Sequence, residues 1–231
     1  MFKSRVFTLY PDYFPGYLEK GLFGKAMKEK IWSLEIVDIR NYAEDKHKTV
    51  DDTPYGGGDG MIMKADVLAR SLDKNLPQDE IIIYLSPKGK IFDHNCAKRF
   101  SEFESINFIC GHFEGIDQRI IESRNIEEIS IGDFVLSGGE TAVFVVLDAI
   151  LRFVPGVLGN VNSSKNESFE NGLLEYPQYT KPQIFEQKGV PEVLLSGDHA
   201  KIKDWRLSQS EAITRDRRPD LWEKYKKTKK N

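Results

Sequence analysis

Five apolar stretches mark the first two thirds of the chain: Val6 to Tyr10, Leu34 to Ile39, Ile81 to Leu85, Ile106 to Cys110 and Ile129 to Leu136. Each has the length of a strand rather than a helix. Ile81-Ile82-Ile83-Tyr84-Leu85 does not alternate with polar residues, which suits a strand covered on both faces of a parallel sheet. Between the stretches, Tyr17 to Lys30, Ala65 to Asp73, His94 to Phe103 and Ile116 to Ser123 mix charged and apolar residues at helical spacing. The alternation predicts an α/β fold with a mostly parallel sheet. Thr141 to Val154 is apolar nearly all round apart from Asp148 and Arg152, and Pro155-Gly156 stops it. That pattern predicts a helix buried in the core or at a subunit interface.

Gly159 to Gly172 holds four Asn, three Ser and only two apolar residues, the composition of a mobile linker. It divides the chain into a body, 1–159, a linker, 160–172, and a C-terminal segment, 173–231. The whole-chain charge of −3, from 33 Lys and Arg against 36 Asp and Glu, weighs against a nucleic-acid partner. Splitting it reverses that picture. Asp198 to Asn231 carries eleven basic and six acidic residues, a net of +5, so the first 197 residues carry −8. Trp205, Trp222 and Tyr225 are interleaved there with Lys201, Lys203, Arg206, Arg215, Arg217 and Arg218, combining phosphate-neutralising charge with faces on which bases stack. A solvated basic helical tail with inward-packed aromatics is the other reading of the same residues.

The 40% hydrophobic and 30% charged residues exclude disordered, collagen-like and disulfide-scaffold classes. Cys96 and Cys110 lack CxxC spacing and read as buried, reduced thiols, with no metal pair. Val6 to Tyr10, after Met1 to Arg5, is too short an apolar core for a secretory signal, so a cytoplasmic location is expected. The longest apolar run, Ala142 to Leu147, falls far short of the ~20 residues that cross a bilayer, so no membrane partner is expected.

Three glycine-rich turns follow the strands or precede helices: Pro54 to Met61, Leu85-Ser86-Pro87-Lys88-Gly89, and Leu136-Ser137-Gly138-Gly139-Glu140. The last resembles the signature of transporter-type ATPases, yet the chain has no Gly-x-x-x-x-Gly-Lys-[Ser/Thr] cradle for a triphosphate. Nor does a Gly-x-Gly-x-x-Gly join an early strand to a helix. What remains is a loop cluster, Gly111-His112-Phe113-Glu114-Gly115 and Ser130 to Glu140, at the carboxyl ends of predicted strands. Ligands of open α/β sheets bind there. With little lysine, such a pocket suits an adenosine bearing a short zwitterionic tail rather than a polyphosphate.

Several blocks, in order along nearly the whole chain, resemble the bacterial tRNA (guanine-N1)-methyltransferases of the SPOUT superfamily. They are Asp45 to Gly58, the turn at Leu85, Cys110 to Asp117, Ser130 to Glu140, Arg152 to Gly159, Ser196 to His199 and Lys203 to Arg206. The resemblance implies a deep trefoil knot in the sheet, an obligate homodimer with interface sites, and methylation of N1 of the guanosine just 3′ of the anticodon in tRNA. S-adenosyl-L-methionine is the implied cofactor, contacting Leu85, Ser86, Pro87, Gly111, Phe113, Glu114, Gly115, Ile131, Gly132, Asp133, Phe134, Val135, Leu136, Gly138 and Gly139. A Mg2+ requirement is implied as well, with no ligand cluster to give it a position.

N1 of guanine carries a proton at neutral pH, so a carboxylate base and a cation opposite O6 suit the chemistry. The resemblance gives these roles to Glu167 and Arg152. Glu167 departs from the family's usual Asp by one methylene, and His112-Phe113 stand where Arg-Tyr is usual. Those departures keep open a non-catalytic RNA-binding protein on the same fold.

Overall fold

The computed structural model describes residues 1–77, 80–158 and 167–229. They form two compact units, one up to residue 158 and the other from residue 167. The predicted linker therefore lies mostly outside the described residues. Its last six, Glu167 to Gly172, form turns of the second unit, with the Phe169 N–H donating to the Leu173 carbonyl at 2.7 Å.

In the first unit, β1 (Phe2–Thr8), β2 (Trp32–Asp38), β5 (Ile82–Ile91), β6 (Ser105–Ile109) and β7 (Glu127–Ser130) make one sheet in the order β2-β1-β6-β5-β7. Every pairing in it is parallel. A small antiparallel pair, β3 (Asp51–Asp52) with β4 (Ile62–Met63), lies outside it. Five helices fill the connections: α1 (Gly21–Lys28), α2 (Ala65–Asn75), α3 (His94–Ser101), α4 (Gln118–Ser123) and α5 (Glu140–Leu151). Successive strand residues point to opposite faces, so Val6 and Phe7 enter different cores. Val6 joins Trp32, Phe100, Phe108, Val143 and Ile150 on one face, and Phe7 joins Leu68, Leu72, Ile109 and Ile120 on the other. That two-sided burial explains why the strands read as apolar runs without alternation.

The strand expected over Ile129 to Leu136 is corrected: β7 ends at Ser130. The Ser130 hydroxyl donates to the Gly132 carbonyl at 3.1 Å, and Gly132 turns the chain out of the sheet at φ 147°, a value side-chain-bearing residues rarely adopt. Ile131, Phe134, Val135 and Leu136 are apolar because they line a cavity, and periodicity alone could not separate that from a sheet. β5 also runs past Leu85, with a register shift between Leu85 and Lys90 that leaves Ser86 to Gly89 as a bulge. The helix expected over Thr141 to Val154 is α5; it buries Ala142, Val143, Val146, Leu147, Ile150 and Leu151.

The second unit carries a short hairpin, β8 (Ile184–Phe185) with β9 (Lys188–Gly189), and three helices, α6 (Glu192–Leu195), α7 (His199–Arg217) and α8 (Pro219–Thr228). Asp198 caps α7 by accepting from the N–H groups of Ala200 and Lys201. The fully buried Thr214 hydroxyl accepts from the Leu174 N–H at 2.8 Å, tying the entering chain to α7. Among the described residues, no helix is long and apolar enough to cross a membrane.

Candidate active site

A cavity of about 270 Å³ opens at the carboxyl ends of β5, β6 and β7. Three segments wall it: the bulge 85–88 of β5, the loop 111–115 after β6, and the loop 131–139 between β7 and α5. The last two approach backbone to backbone. The Gly139 N–H donates to the Gly111 carbonyl at 3.1 Å, and a Cβ on Gly139 would stand only 2.8 Å from the Cα of Cys110. A side chain at Gly139 would therefore force the loops apart. Phe113 sits in the left-handed region at φ 58°, which turns the 111–115 loop back over the cavity mouth.

Beneath the loops lies a buried polar knot. Glu140 is 3% exposed; its Oε1 accepts from the Thr8 hydroxyl at 2.6 Å, and His112 Nε2 stands 2.8 and 2.9 Å from its two oxygens. A carboxylate only accepts, so Nε2 carries the imidazole proton. Burial pushes the Glu140 carboxyl up, but the bonds from His112 and Thr8 outweigh it and leave its pKa below the ordinary carboxylate value. The Tyr10 ring packs against His112 in an edge contact with centroids 4.8 Å apart. Burial likewise raises the Cys110 thiol well above its usual value, with the Glu140 charge adding to it, so this thiol stays protonated and unreactive.

The charged groups lining the cavity are Lys88, Glu114 and Glu128, beside His112. Two carboxylates against one ammonium repel a polyphosphate and attract a cation. Backbone N–H and C=O groups of glycine-rich loops, with Leu85, Ile129, Ile131 and Leu136 as apolar walls, supply edge contacts for a purine. The residues present thus fit a nucleoside carrying a positively charged tail.

Of the residues expected to contact the cofactor, every one except Asp133 lines this cavity; Asp133 is exposed on the same loop, outside the lining. Arg152 is the exposed C-cap of α5 in the first unit. Glu167 lines a different cavity, wholly within the second unit, along with His199, Lys203 and Arg206. Lys201 pairs with Asp198 at 3.1 Å and Arg218 with Asp220 at 2.6 Å, while Arg215 and Arg217 are exposed at the end of α7. Arg206 stacks over the Tyr176 ring at 4.8 Å, and Trp205, Trp222 and Tyr225 are half-buried. Among the described residues, no group of three or more His, Cys, Asp or Glu is placed to hold a metal ion, so Mg2+ gains no position.

Sequence reasoning missed Tyr84 and Glu128 on the cavity wall. Tyr84 was legible as the residue next to a strand's carboxyl end. For Glu128 the signal was the Glu127-Glu128 pair at the head of a strand, which alternation sends to opposite faces.

Fold and cavity define a nucleoside-binding protein of the α/β class, with its ligand at the carboxyl edge of a parallel sheet. The sequence matches the family described as tRNA (Guanine-1)-methyltransferase TrmD over residues 2–224. A tRNA (guanine-N(1)-)-methyltransferase of Pelagibacter ubique is 70% identical over 227 residues, covering 98% of this chain and all of that protein. Proteins of the same name from Bartonella tribocorum and Brucella canis are 57% and 52% identical, each over 99% of this chain and 98% and 93% of their own lengths. The chain belongs to the tRNA (guanine-1)-methyltransferase family.

Proposed function

We propose that this protein methylates N1 of guanine in tRNA with S-adenosyl-L-methionine, at the guanosine just 3′ of the anticodon. The observation that carries the reading is the cavity: two carboxylates, one lysine and glycine-rich backbone, in a chain of this family. When bound, S-adenosyl-L-methionine supplies a methyl group on a positively charged sulfur. The 111–115 and 131–139 loops hold its adenosine portion, with Leu85, Ile131 and Leu136 excluding water from the purine faces.

Glu167 is the proposed base that takes the N1 proton, and Arg152 the cation that steadies the negative charge then left on guanine O6. Lys203 and Arg206, beside Glu167 in its cavity, keep positive charge where the tRNA backbone arrives. Lys201, Arg215, Arg217 and Arg218 extend that basic surface. A tRNA substrate supports the expected cytoplasmic location.

A homodimer with interface sites and a trefoil knot in the sheet belong to the same reading. Exposed aromatics of the first unit support the dimer: Tyr10, Tyr13 and Tyr17 are 41–57% exposed, and Val145 of α5 is half exposed. Apolar surface gathered in this way marks a protein interface. The Gly139 N–H bond to the Gly111 carbonyl sets the end of the 131–139 loop against the loop after β6, the neighbourhood in which the knot is proposed.

Titration calorimetry tests the reading. S-adenosyl-L-homocysteine is expected to bind and ATP not to. With six phosphate contacts, raising salt from 50 to 200 mM is expected to weaken tRNA binding by about 10³-fold or more and leave S-adenosyl-L-homocysteine binding nearly unchanged. ATP binding, or tRNA binding indifferent to salt, would defeat it.

A further inference from the structure

Lys203 and Arg206 lie one turn apart on α7, and with His199 and Ser210 they keep the i, i+4, i+7, i+11 spacing of a single helix face. The segment 167–176 is anchored to this helix. The Thr214 hydroxyl accepts from the Leu174 N–H at 2.8 Å and donates to the Ser210 carbonyl at 2.6 Å, tying the segment to the buried part of α7. The segment is itself folded back, with the Phe169 N–H on the Leu173 carbonyl at 2.7 Å and the Glu175 N–H on the Ser168 hydroxyl at 2.9 Å. Glu167 therefore shares one cavity of about 610 Å³ with Tyr176, Lys203 and Arg206.

Four basic residues of this unit pair with a carboxylate: Lys201, Arg218, Lys226 and Lys229 meet Asp198, Asp220, Glu223 and Glu211 at 2.6–3.1 Å. Lys203 and Arg206 have no such partner among the described residues, although Glu167 and Glu175 border the same cavity. The Arg206 guanidinium lies instead over the Tyr176 ring, 4.8 Å from its centroid. A guanidinium held on a ring still offers its N–H donors to an oxyanion. Both basic side chains are exposed, so an incoming anion can reach them. Arg215 and Arg217, the next basic residues of α7, stand at least about 13 Å further along its axis and outside this cavity.

Two neighbouring cations without a partner repel each other, and an oxyanion between them removes that cost. A guanidinium fork beside an ammonium is a donor set that suits phosphate. Any exposed charge on the unit would steer tRNA; a pair in the cavity of Glu167 does something narrower. N1 of a guanosine and the phosphates on either side of it belong to one nucleotide, so bringing N1 to Glu167 brings a phosphate close as well. Resting on the proposed role of Glu167, we infer that Lys203 and Arg206, the latter stacked on Tyr176, clamp a phosphate flanking the target guanosine and so position its N1. Neither touches the reacting atoms; both are positioning residues.

The test places the change in the tRNA. Transcripts are ligated with one methylphosphonate, an uncharged replacement, at the phosphate 5′ of the target guanosine, at the phosphate 3′ of it, or at a phosphate of the acceptor stem for comparison. Single-turnover methyl transfer below saturation is expected to fall about 10- to 100-fold for one of the two flanking replacements, and far less for the acceptor stem. The double variant Lys203→Gln, Arg206→Gln is expected to lose a similar factor on unsubstituted transcript and nothing further on the sensitive one. A general loss of fold would not cancel in this way.

Thermal unfolding shows whether the double variant is folded. Should it not be, Lys203→Gln alone, at an exposed side chain, carries the same comparison, and the transcript series on the unaltered protein needs no variant. Flanking replacements that react like unsubstituted transcript overturn the proposal. So do equal losses at all three positions, or variant and methylphosphonate losses that multiply. An unaltered protein that binds S-adenosyl-L-homocysteine and unsubstituted tRNA yet transfers no methyl group would defeat the proposed function itself, and the clamp with it.

Discussion

Glu167→Gln is expected to lower single-turnover methyl transfer by about 10²- to 10⁴-fold, the range that a positioned general base contributes. The amide keeps the side chain's size and cannot accept the N1 proton. S-adenosyl-L-homocysteine affinity is expected to stay within about twofold, because Glu167 lies outside the cavity formed by the sheet's loops. Raising pH should partly restore the rate, since hydroxide removes the N1 proton when the base is missing. Glu167→Asp is the informative companion. It keeps the carboxylate and shortens the reach by one methylene, and a misplacement of about 1 Å costs on the order of 10²-fold. A Glu167→Gln rate equal to that of the unaltered protein removes this residue from the mechanism.

Glu140→Ala is expected to destabilise the first unit by about 3 kcal/mol, because it strands the buried Thr8 hydroxyl and the His112 N–H together. For a unit of this size that is a drop of roughly 6–12 °C in Tm. The pH dependence has a definite sign. Glu140 has a folded pKa below its ordinary 4.5, so its contribution is complete above that value and fades as pH falls through the depressed one. The unaltered protein should therefore lose stability on acidification below about pH 4.5, and Glu140→Gln should show a shallower loss. Differential scanning calorimetry between pH 3 and pH 7 reads both effects; parallel profiles for the two proteins would refute the assignment. Because His112 and Gly139 border the cavity, Glu140→Ala is also expected to weaken S-adenosyl-L-homocysteine binding.

Much of this was legible in the residue pattern. The runs at Val6, Ile81 and Ile106 are strands that bury residues on both faces, whereas the Leu34 run is the edge strand β2, legible from its apolar residues although Glu35 stays exposed. The helix after Gly139 was equally plain, its apolar surface ended by Pro155-Gly156. The error at Ile131 to Leu136 has a physical cause: residues that wall a ligand cavity are as apolar as those that wall a core, and only the turn at Gly132 separates the two. The Glu140 knot was hidden for another reason. Thr8, His112 and Glu140 are distant in sequence, and only the parallel order β1-β6-β5 brings the strand ends together. Glu128 was missed although the Glu127-Glu128 pair marked one of the two for the covered face, because a glutamate on a strand reads as solvated unless the sheet is known to cover it.

The charge split at Asp198 kept its meaning in part. Lys203 and Arg206 stand together beside Glu167, whereas Lys201 and Arg218 each have an acidic partner. Surface pairs of that kind are worth little and exchange readily for phosphate. The half-buried Trp205, Trp222 and Tyr225 give the second unit part of its own packing.

The central claim is methyl transfer to N1 of a guanine in tRNA, and the most direct test follows a labelled methyl group from S-adenosyl-L-methionine into unmodified tRNA transcript. Digestion to nucleosides is expected to return the label as N1-methylguanosine, and a transcript with the guanosine 3′ of the anticodon changed to adenosine is expected to take up none. Label at another guanine atom, equal labelling of the two transcripts, or no transfer by folded protein that binds both substrates would contradict the account.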